Sequence, residues 1–103
     1  MAVDPSAERE RRIVDVILAL QPGEVVSYGD IAEVAGYPKQ SRLVGRILSA
    51  SELDLPWWRV VNAAGRLVPG SEREQTQLLR AEDVVIRHGR VRAAPHGRVG
   101  VTG

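Results

Sequence analysis

Both tryptophans of the chain stand side by side in Leu55-Pro56-Trp57-Trp58-Arg59-Val60-Val61, within a sequence that has two tyrosines and no phenylalanine. Flat π faces beside a guanidinium plane are the groups that hold an extruded or single-stranded base. The same rings could instead plug a core, where large aromatics usually dominate. Pro56 fixes its own φ and pushes Leu55 towards extended geometry, so the stretch reads as a stiffened turn, not a helix, running into a strand at Val60. On an extended segment Trp57 and Trp58 point to opposite sides, which predicts Trp57 in a pocket and Trp58 in the interior. Arg59 either touches a ligand or ties the turn to a backbone carbonyl. A second set is Arg42 and Arg46, four apart and therefore on one side of a helix. Gly45 lies between them and costs a helix about 1 kcal/mol relative to alanine. The pattern fits a solvated face with a tolerated glycine. It also fits a face that approaches another backbone closely and grips phosphate or enters a groove.

Other chemistries have little to work with. Cysteine is absent, which removes disulfides, thiolate nucleophiles and thiolate zinc sites together. The two histidines, His88 and His96, are too few and too near the C-terminal end for a metal centre, so neither metal nor cofactor is expected. The net charge of +1 conceals an uneven distribution. Lys39, Arg42, Arg46, Arg59 and Arg66 face only Glu52 and Asp54 in their stretch, and Arg87, Arg90, Arg92 and Arg98 follow with no acid among them. Such asymmetry suggests one face meant for a polyanion. A length of 103 residues, 44% apolar and 26% charged, is ordinary for one soluble globular domain. The ordered part is expected over about residues 6–92, with a flexible Gly-, Pro- and Arg-rich tail at 93–103. No apolar run reaches the length of a membrane span, and Met1–Arg12 lacks the apolar centre of a signal peptide, so a cytoplasmic location is expected, and nothing in the sequence demands more than a monomer.

The elements that must carry these residues follow from periodicity and punctuation. Ser6 can cap a helix from about Ala7 to Leu20, with Ile13, Val16, Ile17 and Leu20 in one buried stripe. Ser27-Tyr28-Gly29-Asp30 has a capping-box pattern and opens a short helix with Ile31, Val34 and Ala35 inward. Gly36-Tyr37-Pro38 turns the chain into a third helix from about Gln40 to Ser49, its apolar side formed by Leu43, Val44, Ile47 and Leu48. This is a helix-turn-helix plan. After Val60-Val61, a turn at Asn62–Gly65 can return Arg66-Leu67-Val68 as a paired strand, a small wing. Ser71-Glu72-Arg73-Glu74 looks like a second capping box, opening a helix to about Ala81 that buries Leu78 and Leu79. Val84–Ile86 and Val91, around a turn at His88-Gly89, make a last hairpin. The predicted fold class is mainly α with a small β wing, a winged helix-turn-helix-like domain.

Four ordered segments carry a family resemblance: Gly23–Ala32, Arg42-Leu43-Val44-Gly45, Pro56–Val61 and Leu78-Leu79-Arg80-Ala81-Glu82. Together they resemble the C-terminal domain of the O6-alkylguanine-DNA alkyltransferases, from about Ile13 to Val91. In that family the active segment reads Pro-Cys-His-Arg-Val; here Trp57 stands at the cysteine and Trp58 at the histidine. The chain is therefore similar to the alkyltransferase-like branch, in which tryptophan replaces the cysteine, although that branch usually keeps the histidine. With neither thiolate nor histidine, transfer by the family's route has no nucleophile and no activating base.

The resemblance implies a non-enzymatic sensor that binds duplex DNA containing O6-alkylguanine and channels the lesion to nucleotide excision repair proteins of the UvrA damage-recognition type. It implies that Arg42 enters the minor groove and fills the gap left by a flipped nucleotide, with Ser41, Gly45 and Arg46 on the same docking helix. Tyr28 would crowd the neighbouring phosphate, and Trp57, Trp58, Arg59 and Tyr28 would form the lesion pocket. Glu82 matches a family glutamate and is expected to be structural, having no relay to serve. The chain departs from the family at Val68-Pro69-Gly70, where a tyrosine is usual, and near Ser49–Ser51, where a hinge asparagine is usual. Two other functions fit the residues: a helix-turn-helix transcription regulator reading bases through Gln40 and Ser41, and a DNA-independent interaction domain with the tryptophans in its core.

Overall fold

Val60 and Val61 follow each other on an extended segment, so their side chains must leave on opposite faces, and both are completely buried. Val60 joins one apolar cluster and Val61 a second. In the computed structural model, which describes residues 4–96, this two-residue strand is the seam between a helical half and a wing.

The helical half holds α1 (Pro5–Leu18), α2 (Tyr28–Ala35) and α3 (Ser41–Ala50), packed around Ile13, Ile17, Ile31, Val44 and Ile47. The cap of α1 is Asp4, not the expected Ser6: Asp4 Oδ1 accepts from the Ser6 amide at 3.0 Å. Pro5 takes the first helical position, where its missing N–H costs nothing, so the helix begins inside the stretch expected to be loose. It also ends at Leu18, short of Leu20, whose side chain is buried all the same. The capping box of α2 is complete, with Ser27 Oγ accepting from the Asp30 amide at 3.0 Å and Asp30 Oδ2 from the Ser27 amide at 3.1 Å. Val34, expected inward, is 74% exposed. Ile31, Ala32 and Ala35 already fill the inward arc of this two-turn helix, and Val34 falls past its edge. Gly36 closes α2 at φ 95°, a left-handed conformation that suits glycine, while the Tyr37 amide reaches back to the Ala32 carbonyl at 2.8 Å.

The wing differs most from expectation. β2 (Val60–Val61) pairs in parallel with β1 (Val26–Ser27), Val26 opposite Val60, and not with Arg66–Val68. The intervening turn does form, Asn62 Oδ1 accepting from the Ala64 and Arg66 amides at 2.9 and 2.8 Å. The returning segment then meets the C-terminal hairpin instead, with Arg66 bridging Arg90. That hairpin, β3 (Val85–Arg87) and β4 (Arg90–Ala93), lies where the sequence predicts it. Its two turn residues have positive φ, 54° at His88 and 71° at Gly89, the pattern of a turn matched to strand twist. Between them α4 (Glu72–Arg80) buries Leu79 and leaves Leu78 half-buried. Ser71 makes no side-chain cap; Glu72 Oε1 instead accepts from the Gly70 amide at 2.9 Å. Ala93, expected in the tail, is in β4, and the His96 amide donates to the Gly23 carbonyl at 3.0 Å. The remainder of the expected tail, with Arg98, lies outside the described residues.

The result is mainly helical, four α-helices with two two-stranded sheets among the described residues, in a winged helix-turn-helix-like arrangement.

Candidate nucleic-acid interface

The Trp57–Arg59 segment is a single 3-10 turn, not the non-helical turn expected, and the Arg59 amide donates to the Pro56 carbonyl at 3.1 Å. Successive side chains on such a turn are about 120° apart, so the two indoles still diverge. Their rings meet edge to face with centroids 6.3 Å apart and planes at 88°. Trp57 lines an open cleft of about 230 Å³ with Tyr28, Gly45, Leu48, Ser49, Val68 and Ser71. Trp58 turns the other way and packs against the wing cluster. Two of the four expected pocket residues, Tyr28 and Trp57, thus reach the cleft. Trp58 and Arg59 do not, because both are claimed by Glu82.

Glu82 is a hub. Its Oε2 accepts from Trp58 Nε1 at 2.8 Å and from Arg59 Nη2 at 2.7 Å, and its Oε1 from the Gly23 amide at 2.8 Å and Arg59 Nε at 3.0 Å. Arg59 Nη1 continues to the Leu20 carbonyl at 3.1 Å, the backbone tie foreseen for this residue. Its guanidinium carbon lies 5.2 Å from the centre of the Trp58 ring, within cation–π range. Each of the charged side chains is only 12% exposed. Burial pushes the Glu82 carboxyl up, but the Arg59, Gly23 and Trp58 hydrogen bonds and the Arg59 charge more than offset it. The carboxyl is therefore held below its usual value of 4.5. One carboxylate thereby pins the end of α1, the Gly23 turn and the tryptophan turn to the end of α4.

Gln75 completes the scaffold and escaped the sequence reading. It is fully buried; Oε1 accepts from the Val68 amide at 2.7 Å, and Nε2 donates to the Trp58 and Val60 carbonyls, both at 3.1 Å. The signal was available: Gln75 lies four residues before Leu79, on the apolar stripe of α4. A polar side chain there must find partners, and it finds the backbone behind the tryptophan turn.

The outer stripe of α3 borders the cleft. Ser41, Arg42 and Ser49 are exposed, and Gly45 lies among them as part of the cleft wall. A β-carbon at Gly45 would meet only the Tyr28 ring, at 3.9 Å, an ordinary contact. Packing inside the protein therefore does not require glycine at this place. Arg46 is exposed at the other edge, lining a separate hollow between α1 and α3 with Glu10 and Glu52. Tyr28 is half-buried between the cleft and a second hollow of about 250 Å³ that includes Arg66, Val68, His88 and Gly89. Burial raises its phenol above the usual 10.0, so it is a neutral hydrogen-bond donor near neutral pH.

The fold and this site define a class. The family profile described as "6-O-methylguanine DNA methyltransferase, DNA binding domain" matches residues 8–84, and the chain belongs to that family. Within it, the chain is 38% identical over 80 residues to the DNA base-flipping protein of Escherichia coli K12, an alignment covering 74% of this chain and 62% of that protein. It is 31% identical over 81 residues to alkyltransferase-like protein 1 of Schizosaccharomyces pombe, covering 73% of this chain and 75% of that one. The crystal structure of S. pombe Atl1 in complex with damaged DNA containing O6-carboxymethylguanine superposes with a TM-score of 0.73 at 27% identity, covering 90% of this chain and 92% of that one.

Proposed function

We propose that this protein is a non-enzymatic DNA damage sensor that holds O6-alkylguanine flipped out of duplex DNA and flags it for nucleotide excision repair. The observation that carries the reading is the open cleft walled by Trp57 and Tyr28 directly beside the exposed Ser41–Arg42–Gly45–Ser49 stripe. The stripe enters the minor groove, and Arg42 fills the gap in the stack. The Tyr28 phenol presses on the neighbouring phosphate. Trp57 covers the extruded base in a space below the ~300 Å³ of common ligand pockets, suited to one heterocycle. The names of the relatives, a base-flipping protein and an alkyltransferase-like protein, and the damaged-DNA complex of Atl1 support this assignment. No alkyl group is transferred, because the chain has no cysteine to receive it. Extrusion costs a few kcal/mol and less at a damaged pair, so flipping itself favours the lesion.

The deciding experiment is a fluorescence titration. Tryptophan emission is followed while matched duplexes carrying O6-methylguanine or guanine at one position are added. Quenching with clearly tighter binding of the methylated duplex is expected; equal binding of both would reduce the protein to a general DNA binder. The glycine offers a second check. Gly45→Ala should stabilise the fold by up to about 1 kcal/mol, the helix penalty it relieves, while weakening duplex binding by holding α3 away from the groove. A variant that binds as well as the wild type would remove α3 from the interface.

A further inference from the structure

The sequence carries a run of arginines that the damage-sensor reading does not use, and the sheet register places them together. Arg87 is opposite Arg90 in the C-terminal hairpin, and Arg90 is opposite Arg66 on its other side. Residues directly opposite in antiparallel strands share one face, so three arginines stand in a row across three strand segments. The Arg66–Arg90 pair is flanked by the bonds from the Leu67 amide to the Gly89 carbonyl, 3.1 Å, and from the Val91 amide to the Gly65 carbonyl, 2.9 Å. It is therefore a non-hydrogen-bonded pair, the type that brings cross-strand side chains closest. Arg92, the extra residue of the bulge between the Ile86–Val91 and Val85–Ala93 pairs, is exposed as well, while Leu67, Ile86 and Val91 are buried beneath.

Like charges at such positions are destabilising, and among the described residues none of the row is in an ion pair, the pairs being Arg12–Glu8 and Arg59–Glu82. Glu72 shares the hollow with Arg66 and His88; it accepts from the Gly70 amide through Oε1 and is in no ion pair with Arg66. The hollow adjoins the cleft, Tyr28 and Val68 lining both. We propose that this arginine row is a second grip on the duplex, contacting phosphates of the DNA backbone beyond the Tyr28 side of the cleft. It rests on the reading of the protein as a duplex-DNA binder and adds to it a sequence- and damage-independent contact that sets register.

The test is the salt dependence of binding by Arg66→Gln, Arg87→Gln and Arg90→Gln, singly and combined, with Arg12→Gln on α1 matching each single variant in charge. Each phosphate contact contributes a slope of about −0.9 in log K against log salt. If all three touch phosphate, the wild type loses roughly 40-fold more affinity than the triple variant between about 50 and 200 mM salt. Methylated and unmodified duplexes should weaken by the same factor, and the triple variant should unfold at the same temperature as the wild type or higher. An unchanged slope and affinity, with the wild type still binding, overturns the second grip and leaves the cleft untouched. A wild type that binds no duplex at low salt overturns the sensor reading and the grip with it.

Discussion

Glu82→Ala should destabilise the protein by about 3–5 kcal/mol, the cost of leaving one partner of a buried ion pair stranded. Arg59 would lose its bidentate carboxylate while still held to the Leu20 carbonyl, and the Trp58 indole and Gly23 amide would lose their acceptor in the same step. Urea unfolding measures it directly; a loss below about 1 kcal/mol would make the cluster equivalent to a surface pair. Replacing the pair by apolar groups, Arg59→Met with Glu82→Leu, should cost less than the single change, since no charge is left unpaired. The pH dependence has a definite sign. A carboxyl whose pKa is depressed on folding contributes stability that is fully present above its unfolded value and is lost as pH falls through the folded value. Wild-type stability should accordingly decline as pH drops below about 4.5, and Glu82→Gln should flatten that part of the curve.

Trp57→Ala should lose affinity for a methylated duplex by about 1–3 kcal/mol, the usual worth of stacking one base on an aromatic ring. That corresponds to about 5- to 150-fold in Kd, with binding of an unmodified duplex little changed. The fold should survive, because Trp57 makes no bond to Glu82 and loses an edge-to-face contact worth about 0.5–1.5 kcal/mol. Trp58 behaves oppositely: its indole serves the hub, so its loss should appear in unfolding experiments. Equal weakening on both duplexes after Trp57→Ala would make Trp57 a structural residue and empty the cleft of its proposed role.

The helix-turn-helix half was legible because its signals are local. Ser27 and Asp30 name the start of α2 within four residues, Gly36 names its end, and the spacing of Val44 and Ile47 orients α3. The division of the two tryptophans was also legible, although the reason differed: a 3-10 turn separates them, not strand alternation. What failed was long-range. Nothing near Val60 says that its partner is Val26, two helices earlier, and the Asn62–Gly65 turn invited the wrong pairing. The hub failed for the same reason, since Gly23, Trp58, Arg59 and Glu82 meet only in three dimensions. Placing Trp58 and Arg59 in the pocket followed from their position beside Trp57, and Glu82 overrules that position with hydrogen bonds that a solvent-facing cleft could not match.

The ties at Gly23 also impose an order on biosynthesis. Its amide is bound by Glu82 and its carbonyl by His96, so these two long-range ties of the turn that leads into β1 and α2 cannot form until both residues have been synthesised. A nascent chain halted before residue 82 would present α1, α2 and α3 with half of the seam unsupported. The helix proposed to face DNA is made early, but its platform is fastened by residues translated after it.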